Sequence, residues 1–325
     1  MSDDRVSNDS VSSAGLLERS RLIAAFAAVY LIWGSTFLAL ALGLQTIPPL
    51  LLMGARSIAA GAILLAIEQV RSPGFPPAGA WAGAAVSGII LFVGCHGTLA
   101  YAQQYVPSGL AAVMLATVPF WIVVLNVSAP TERRARLLTF AGLLPGLAGV
   151  LLIAWPADPG TTAPVDPLML VLLLASAFFW AAGSRVSQRQ QAFTSAIALS
   201  GMQLVCGGAA LLVGSGLSGE LSGFSPRAVS AISWAGLSYL IGAGSVVGFT
   251  AYMWLLDHAP GPLVSTYTFV NPVVAVVLGW RFLGERPSVQ MLAGTVLVVG
   301  SVVAVWRLGN RPPPHDDRGA IADQA

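Results

Sequence analysis

Two side chains that can carry charge lie inside long apolar runs of the sequence. Arg56 could hold a carboxylate or another anionic group of a substrate, since a charge in apolar surroundings needs a partner. Alternatively, Arg56 reaches a polar interface or ties neighbouring helices together. His96 could carry a proton, because imidazole titrates near neutral pH, or it could be a neutral packing residue. Adjacent Cys95 suggests no metal site, because no third or fourth ligand follows at a useful spacing.

Two prolines interrupt other apolar runs, and polar residues lie beside them. A proline inside a helix removes one backbone hydrogen bond and frees a carbonyl, so Pro119 and Pro272 are predicted to kink their helices. Thr117 precedes the first proline, Asn271 precedes the second, and Tyr267 lies one helical turn before Asn271. We predict that these side chains line a cavity with the freed carbonyls. In the alternative, the kinks are structural and neighbouring helices satisfy the free groups.

Aromatic residues could form the rest of a pocket wall. Trp33, with the nearby Ser35, and Trp180 lie well inside their apolar runs and are predicted for this wall. Trp and Tyr also anchor helices at membrane interfaces. That second role is predicted for three aromatic residues near the ends of runs: Tyr101, Tyr252 and Trp254.

The elements that position these residues are predicted to be membrane-spanning helices. Hydrophobic residues make up 56% of the chain and charged residues 9%, whereas about a quarter of the residues in a soluble domain are charged. The apolar runs are continuous and about 20 residues long, the length with which an α-helix crosses a bilayer, and they lack the alternation of a β-barrel. The predicted class is therefore an all-α, multi-pass membrane protein whose partner is the lipid bilayer.

The sequence contains an internal duplication. The stretch Cys95–Arg133 aligns without a gap with Gly248–Arg286. The second and seventh predicted spans also align, and this alignment pairs Arg56 with Gln203. Each half is predicted to contain five spans. Because five is odd, the second half enters the bilayer from the opposite side, which gives inverted repeats. Such repeats provide two nearly equivalent packings around one central site, as alternating-access transporters require.

The predicted organisation follows from the apolar runs and the arginines. Residues 1–21 and 307–325 are polar tails predicted to be disordered, 22–155 and 166–306 are the two repeats, and 156–165 is an external linker. The sequence lacks Lys, and with the N-terminus inside, twelve Arg lie on the cytoplasmic side and three outside, so both termini are predicted to be cytoplasmic. The ten predicted spans are 22–44, 50–68, 81–103, 109–128, 137–155, 166–186, 195–215, 231–256, 262–281 and 288–306.

Several segments together resemble the EamA family of the drug/metabolite transporter superfamily, most closely its YedA-type exporters. They are AVYLIWGSTFLAL in the first span, PPLLLMGARSIAAGAILL in the second, VPSGLAAV before the fourth and STYTFVNPVVAVVLGWRFLGERPS in the ninth. The resemblance extends over about residues 22 to 306. It implies a fold of ten transmembrane helices in two inverted five-helix EamA repeats, with a central cavity lined mainly by spans 1, 3, 4, 6, 8 and 9.

The predicted function is secondary transport, with a small metabolite, amino acid or drug as the exported partner. The sequence lacks an ATP-binding Walker loop and the motifs of hydrolases, so no enzyme activity and no cofactor are predicted. Two alternatives are a sugar-phosphate or nucleotide-sugar exchanger, which would need several intramembrane Lys or Arg, and a non-transporting scaffold or sensor. The predicted location is a bacterial inner membrane. No nucleic-acid partner is predicted, and self-association as a homodimer is left open.

Overall fold

The regular structure that the protein shows is helical. The computed structural model describes residues 3–74, 76–125, 141–142, 144–146, 148–149, 152, 165–190, 194–259, 264 and 267–309. Within these residues the helices are α1 (Asp3–Gly43), α2 (Pro49–Arg71), α3 (Ala78–Ala102), α4 (Ser108–Leu115), α5 (Val118–Leu125), α6 (Pro167–Gln188), α7 (Ala196–Leu217), α8 (Ala231–Tyr239, Leu240–Val247 and Gly248–His258), α9 (Tyr267–Leu283) and α10 (Val289–Gly309).

Six of these helices are long and apolar enough to cross a membrane, judged by length and composition. They are Glu18–Gly43 within α1, then α2, α3, α6, α7 and, within α8, Ala231–Tyr252. Shorter apolar helices at Ser108–Ile122, Val270–Leu283 and Val289–Ser301 fall in the fourth, ninth and tenth predicted spans. The fifth predicted span, 137–155, lies largely outside the described residues. The predicted all-helical class is thus confirmed.

The start of the chain differs from the disordered tail expected for residues 1–21. Helix α1 begins at Asp3 and continues without a break into its apolar part. The polar segment contains no proline, so nothing in it stops a helix that the apolar residues after it extend towards the N-terminus.

Two helices begin with local signals that the sequence displays. Asp166 precedes α6, and its Oδ1 accepts a hydrogen bond from the Leu168 amide at 2.8 Å. Ser195 precedes α7, and its Oγ accepts one from the Ala198 amide at 3.1 Å. Both side chains satisfy an amide that the helix itself leaves without a partner.

Helices α3 and α8 each contain a π-helical segment in the middle. The segments are Ile89–Gly97 in α3 and Leu240–Val247 in α8. When the alignment of Cys95 with Gly248 is extended back along the chain, the two segments overlap, so each repeat has one in its third span. Long π-helical segments are rare, and they often occur at functional sites because the wider turn rearranges backbone carbonyls.

The two proline sites differ in structure. In the fourth span, a turn at Ala116 and Thr117 separates α4 from α5, so the chain is interrupted just before Pro119. Pro272 instead lies inside α9. Helix α9 packs against α1 and α4, whereas α5 packs against α6. The fourth and ninth spans therefore meet mainly through α4, and not through the segment that contains Pro119.

The most extensive packing in the described part of the chain joins α2 to α7, the second spans of the two repeats. Glycines make the close approach possible. A Cβ at Gly61 would lie 2.9 Å from the Gly201 carbonyl oxygen, and a Cβ at Gly208 would lie 2.9 Å from the Ile58 amide nitrogen. Small residues at helix crossings are how membrane helices gain van der Waals contact. The pair α2 and α7 therefore forms a close contact between the two repeats.

Candidate functional site

Three aromatic residues from three helices meet near the middle of the bundle. The ring centroid of Trp33 in α1 lies 5.1 Å from that of Tyr252 in α8 and 4.9 Å from that of Tyr267 in α9. Tyr252 and Tyr267 are 5.9 Å apart and nearly perpendicular. Edge-to-face contacts at these distances are favourable for aromatic rings. This group, which we call the first ring group, combines one helix of the first repeat with two of the second.

The π-helical segment of α8 supplies polar partners beside this ring group. Trp33 Nε1 donates a hydrogen bond to the Gly244 carbonyl oxygen at 3.1 Å. Ser245 Oγ donates to the Leu240 carbonyl oxygen, five residues earlier, at 2.9 Å. The same hydroxyl accepts a hydrogen bond from Arg56 Nε at 3.0 Å. The wide turn of α8 thus connects the first two spans of the first repeat to the second repeat.

Arg56 lies two turns into α2 and points toward the other functional candidates. Its guanidinium is near enough to Cys95 and His96 to interact with them electrostatically. Its remaining described hydrogen-bond contact is a long one, 3.7 Å from Nη1 to the sulfur of Met53. Among the described residues, no Asp or Glu forms an ion pair with it. The positive charge is therefore close to a polar serine and an imidazole but not to a carboxylate.

A second ring group lies near Arg56. His96, in the π-helical segment of α3, is 5.0 Å from Phe92 and 5.7 Å from Trp180 of α6, measured between ring centroids. The Tyr267 side chain lies close to that of Trp180. The two ring groups therefore adjoin and form one continuous cluster.

Two of the buried polar atoms without a hydrogen-bond partner among the described residues belong to residues predicted for the site. They are His96 Nδ1 and Asn271 Oδ1. Asn271 lies one helical turn after Tyr267 in α9. A buried polar atom without a partner costs about 1–3 kcal/mol, so each of these atoms is available to a bound molecule or to water.

The structure unites five of the eight residues predicted for the site. These are Trp33, Arg56, His96, Trp180 and Tyr267. Asn271 continues the same helix face as Tyr267. Ser35 is separate, because its hydroxyl contacts the Tyr239 hydroxyl at 2.6 Å on an exposed part of the surface. Thr117 is buried at the break before α5, where Oγ1 donates to the Met114 carbonyl oxygen at 2.7 Å.

Sequence reasoning missed several members of the cluster. Tyr252, predicted as an interfacial anchor, instead packs on Trp33 and Tyr267. Gly244 and Ser245 were not predicted, because nothing in hydropathy marks a π-helical segment.

A cleft of about 570 Å³ opens beside the cluster, between the N-terminal part of α1 and the second half of α8. Its lining is mostly apolar, with Arg21 at one end and Trp254 beside it. Val247 and Thr250, which line the cleft, follow Ser245 in α8 by less than two helical turns.

The repeats that supply this cluster match a known family. The EamA-like transporter family matches residues 20–155 and, a second time, residues 167–307. The chain belongs to the EamA-like transporter family. Both EamA matches contribute to the cluster, since Trp33, Arg56 and His96 lie in the first and Trp180 and Tyr267 in the second.

Relatives and a solved structure agree with the EamA assignment. Over 284 residues the chain is 34% identical to the uncharacterized inner membrane transporter YedA of Escherichia coli strain K12, covering 87% of this chain and 90% of YedA. It is 27% identical over 283 residues to protein PecM of Dickeya dadantii, covering 84% and 88% of the two chains. A crystal structure with 22% sequence identity shares the fold, with a TM-score of 0.61 over 90% of this chain and 99% of the other.

Proposed function

We propose that this EamA protein is a secondary transporter that exports a small molecule across a bacterial inner membrane. It would have ten spans in two inverted repeats and both termini in the cytoplasm. The observation that carries the proposal is the mixed origin of the cluster: α1, α2 and α3 come from the first repeat, and α6, α8 and α9 from the second. Because the two repeats share one site, movement of one against the other would change which side the site faces.

The packing of the bundle supports this mechanism. The glycine-rich contact of α2 with α7 packs backbone closely between the repeats, while the cluster depends on contacts between side chains of different repeats. The hydrogen bond of Trp33 to Gly244 and the aromatic contacts can rearrange without unfolding a helix. The resemblance to YedA-type exporters is the basis for proposing export. It is also the basis for proposing a metabolite, amino acid or drug as the cargo.

Alternating access can be tested before the substrate is known. A cysteine placed at Asn271, in a background with Cys95→Ala and Cys206→Ser, should react with a membrane-impermeant thiol reagent applied from either side of the membrane. Val273→Cys in the same background is the matched control, because Val273 lies on the same helix and is 52% exposed on the bundle surface, where lipid excludes the reagent. Labelling of Asn271→Cys from one side alone, or from neither, would contradict the proposal and favour a scaffold or sensor.

The direction of transport needs a separate measurement. Cells that express the wild-type chain should accumulate exported compounds in the medium, compared with cells that express Asn271→Ala at the same membrane level. Metabolite profiles of the two media would identify the cargo. Equal profiles at equal protein levels would contradict export through this site.

A further inference from the structure

We propose that the transported molecule is a small organic anion whose carboxylate binds Arg56 and whose apolar or aromatic body lies between the two ring groups. This inference rests on the proposed transport function and adds the chemical class of the cargo.

The first step concerns the hydrogen-bonding capacity of Arg56. A guanidinium has five N–H donors. The described contacts use Nε, which donates to Ser245 Oγ at 3.0 Å, and Nη1, which is 3.7 Å from the weak acceptor sulfur of Met53. A charge in the membrane interior costs about 2.5–3.5 kcal/mol on insertion scales, so an arginine there usually has an anionic or strongly polar partner. The described side chains leave that role open.

The duplication allows a test of the alternative that Arg56 only ties neighbouring helices together. Gln203 occupies the position that aligns with Arg56, and its Nε2 donates to Ser87 Oγ at 2.8 Å and to Ser187 Oγ at 2.9 Å. Gln203 thus ties α7 to α3 and α6, just as Arg56 ties α2 to α8. An amide is sufficient for such a tie between helices. The positive charge at Arg56 is therefore not explained by helix packing, and we infer that it has an external counterion.

The surroundings of Arg56 indicate what else the cargo carries. The titratable side chains that act on it are Cys95 and His96, and neither is a carboxylate. His96 Nδ1 is buried without a described partner and lies in the second ring group. Trp33 of the first ring group donates a hydrogen bond to the carbonyl oxygen of Gly244, the residue before Ser245. An anion on Arg56 would consequently have aromatic rings of both groups nearby, which suit an apolar or planar body.

The number of cations favours a carboxylate over a phosphate. In the described part of the cluster, Arg56 is the single arginine. A carboxylate matches one guanidinium through two parallel hydrogen bonds, whereas a doubly charged phosphate usually recruits several cationic groups. A monocarboxylate therefore fits the charge of the site better than a sugar phosphate or a nucleotide sugar.

The proposal can be tested with compounds that share a body and differ in charge. Three sets serve as probes: phenylacetate with phenylacetamide and 2-phenylethylamine, indole-3-acetate with its amide and tryptamine, and cyclohexylacetate with its amide and amine. Binding to purified full-length protein in lipid nanodiscs is followed by tryptophan fluorescence and by the thermal midpoint. In at least one set, the carboxylate should bind about tenfold or more tightly than the amide and the amine, because one charged hydrogen-bonded contact is worth that ratio.

Three variants complete the test. Arg56→Gln copies the residue of the aligned position, so it should fold normally and lose the preference for carboxylates, while Arg56→Lys should keep that preference. Gln203→Ala should lower the thermal midpoint and leave the preference unchanged. The proposal is overturned if no carboxylate in the three sets binds more tightly than its amide, or if Arg56→Gln retains the preference. The two-sided labelling of Asn271→Cys uses no ligand, so its outcome separates a wrong cargo class from a wrong function.

Discussion

The Glu285 carboxylate accepts a hydrogen bond from the backbone amide of Ser108 at 2.6 Å and thereby connects the segment after α9 to the first residue of α4. Its other oxygen accepts one from the Gly109 amide at 3.2 Å. A negative charge at a helix N-terminus is favourable because it satisfies free amides and opposes the helix dipole. Since α9 and α4 belong to different repeats, this contact holds the two repeats together at the face that the predicted topology places outside.

Glu285→Gln should weaken this connection. The amide oxygen can still accept one hydrogen bond, but the charge is lost, so we expect a stability loss of about 0.3–1 kcal/mol. The thermal midpoint of the purified protein should fall accordingly. Arg286→Gln changes a neighbouring exposed residue for which no such contact is described, and serves as the control. An equal fall in both variants would show that the carboxylate has no special role.

A single methyl group should disturb the contact between α2 and α7. In Gly61→Ala the new Cβ would lie 2.9 Å from the Gly201 carbonyl oxygen, so the helices must separate, at a cost of about 1–3 kcal/mol. Gly300→Ala is the same change in α10 at a position where nothing lies within 4 Å of the Cβ, and it should be neutral or slightly stabilising. The yield and thermal midpoint of the two proteins give the comparison, and equal values would contradict the packing described for α2 and α7.

Asn271→Ala should reduce transport about tenfold, which corresponds to one lost hydrogen bond to the cargo, and should leave the folded yield unchanged. Asn271 Oδ1 has no described partner, so removing it breaks no described internal bond. Val273→Ala is the control on the exposed face of α9. Val274 is unsuitable as this control, because it packs on Gly34 of α1. A normal efflux rate in Asn271→Ala would remove Asn271 from the site.

The predicted topology can be checked with single cysteines at two positions. The segments 156–166 and 215–230 are predicted to lie outside, because the arginines concentrate on the other side. Ser218→Cys is on an exposed turn after α7, and Thr161→Cys lies in the linker between the repeats. Both should react with an impermeant thiol reagent in intact spheroplasts. If either cysteine reacted only after the membrane was opened, the predicted orientation would be wrong.

The sequence predicted some parts of the site much better than others. Arg56 and His96 were identifiable because polar groups are costly in apolar spans, and Trp33 and Trp180 because they lie away from span ends. The faces of apolar residues were not predictable in the same way. Lipid and helix interfaces are both apolar, so hydropathy does not distinguish a residue such as Val274, which packs on α1, from Val273, which lies on the bundle surface.

The position of Tyr252 shows a second limit. Its position near the end of the predicted span suggested an interfacial anchor. The π-helical segment Leu240–Val247, in the middle of α8, precedes Tyr252, and the extra width of that segment changes which way later side chains point. The direction of a side chain after such a segment cannot be counted at 3.6 residues per turn.

The paired π-helical segments also give the bundle a way to turn a side chain without moving the ends of a helix. Winding Leu240–Val247 more tightly would rotate Tyr252 about the axis of α8 and withdraw the Ser245 hydroxyl from Arg56. Winding Ile89–Gly97 would rotate the part of α3 that carries His96. In the predicted inverted topology, the two segments would run in opposite directions through the bilayer. A change of winding in either segment would thus turn side chains of the cluster about the axis of the helix that carries them.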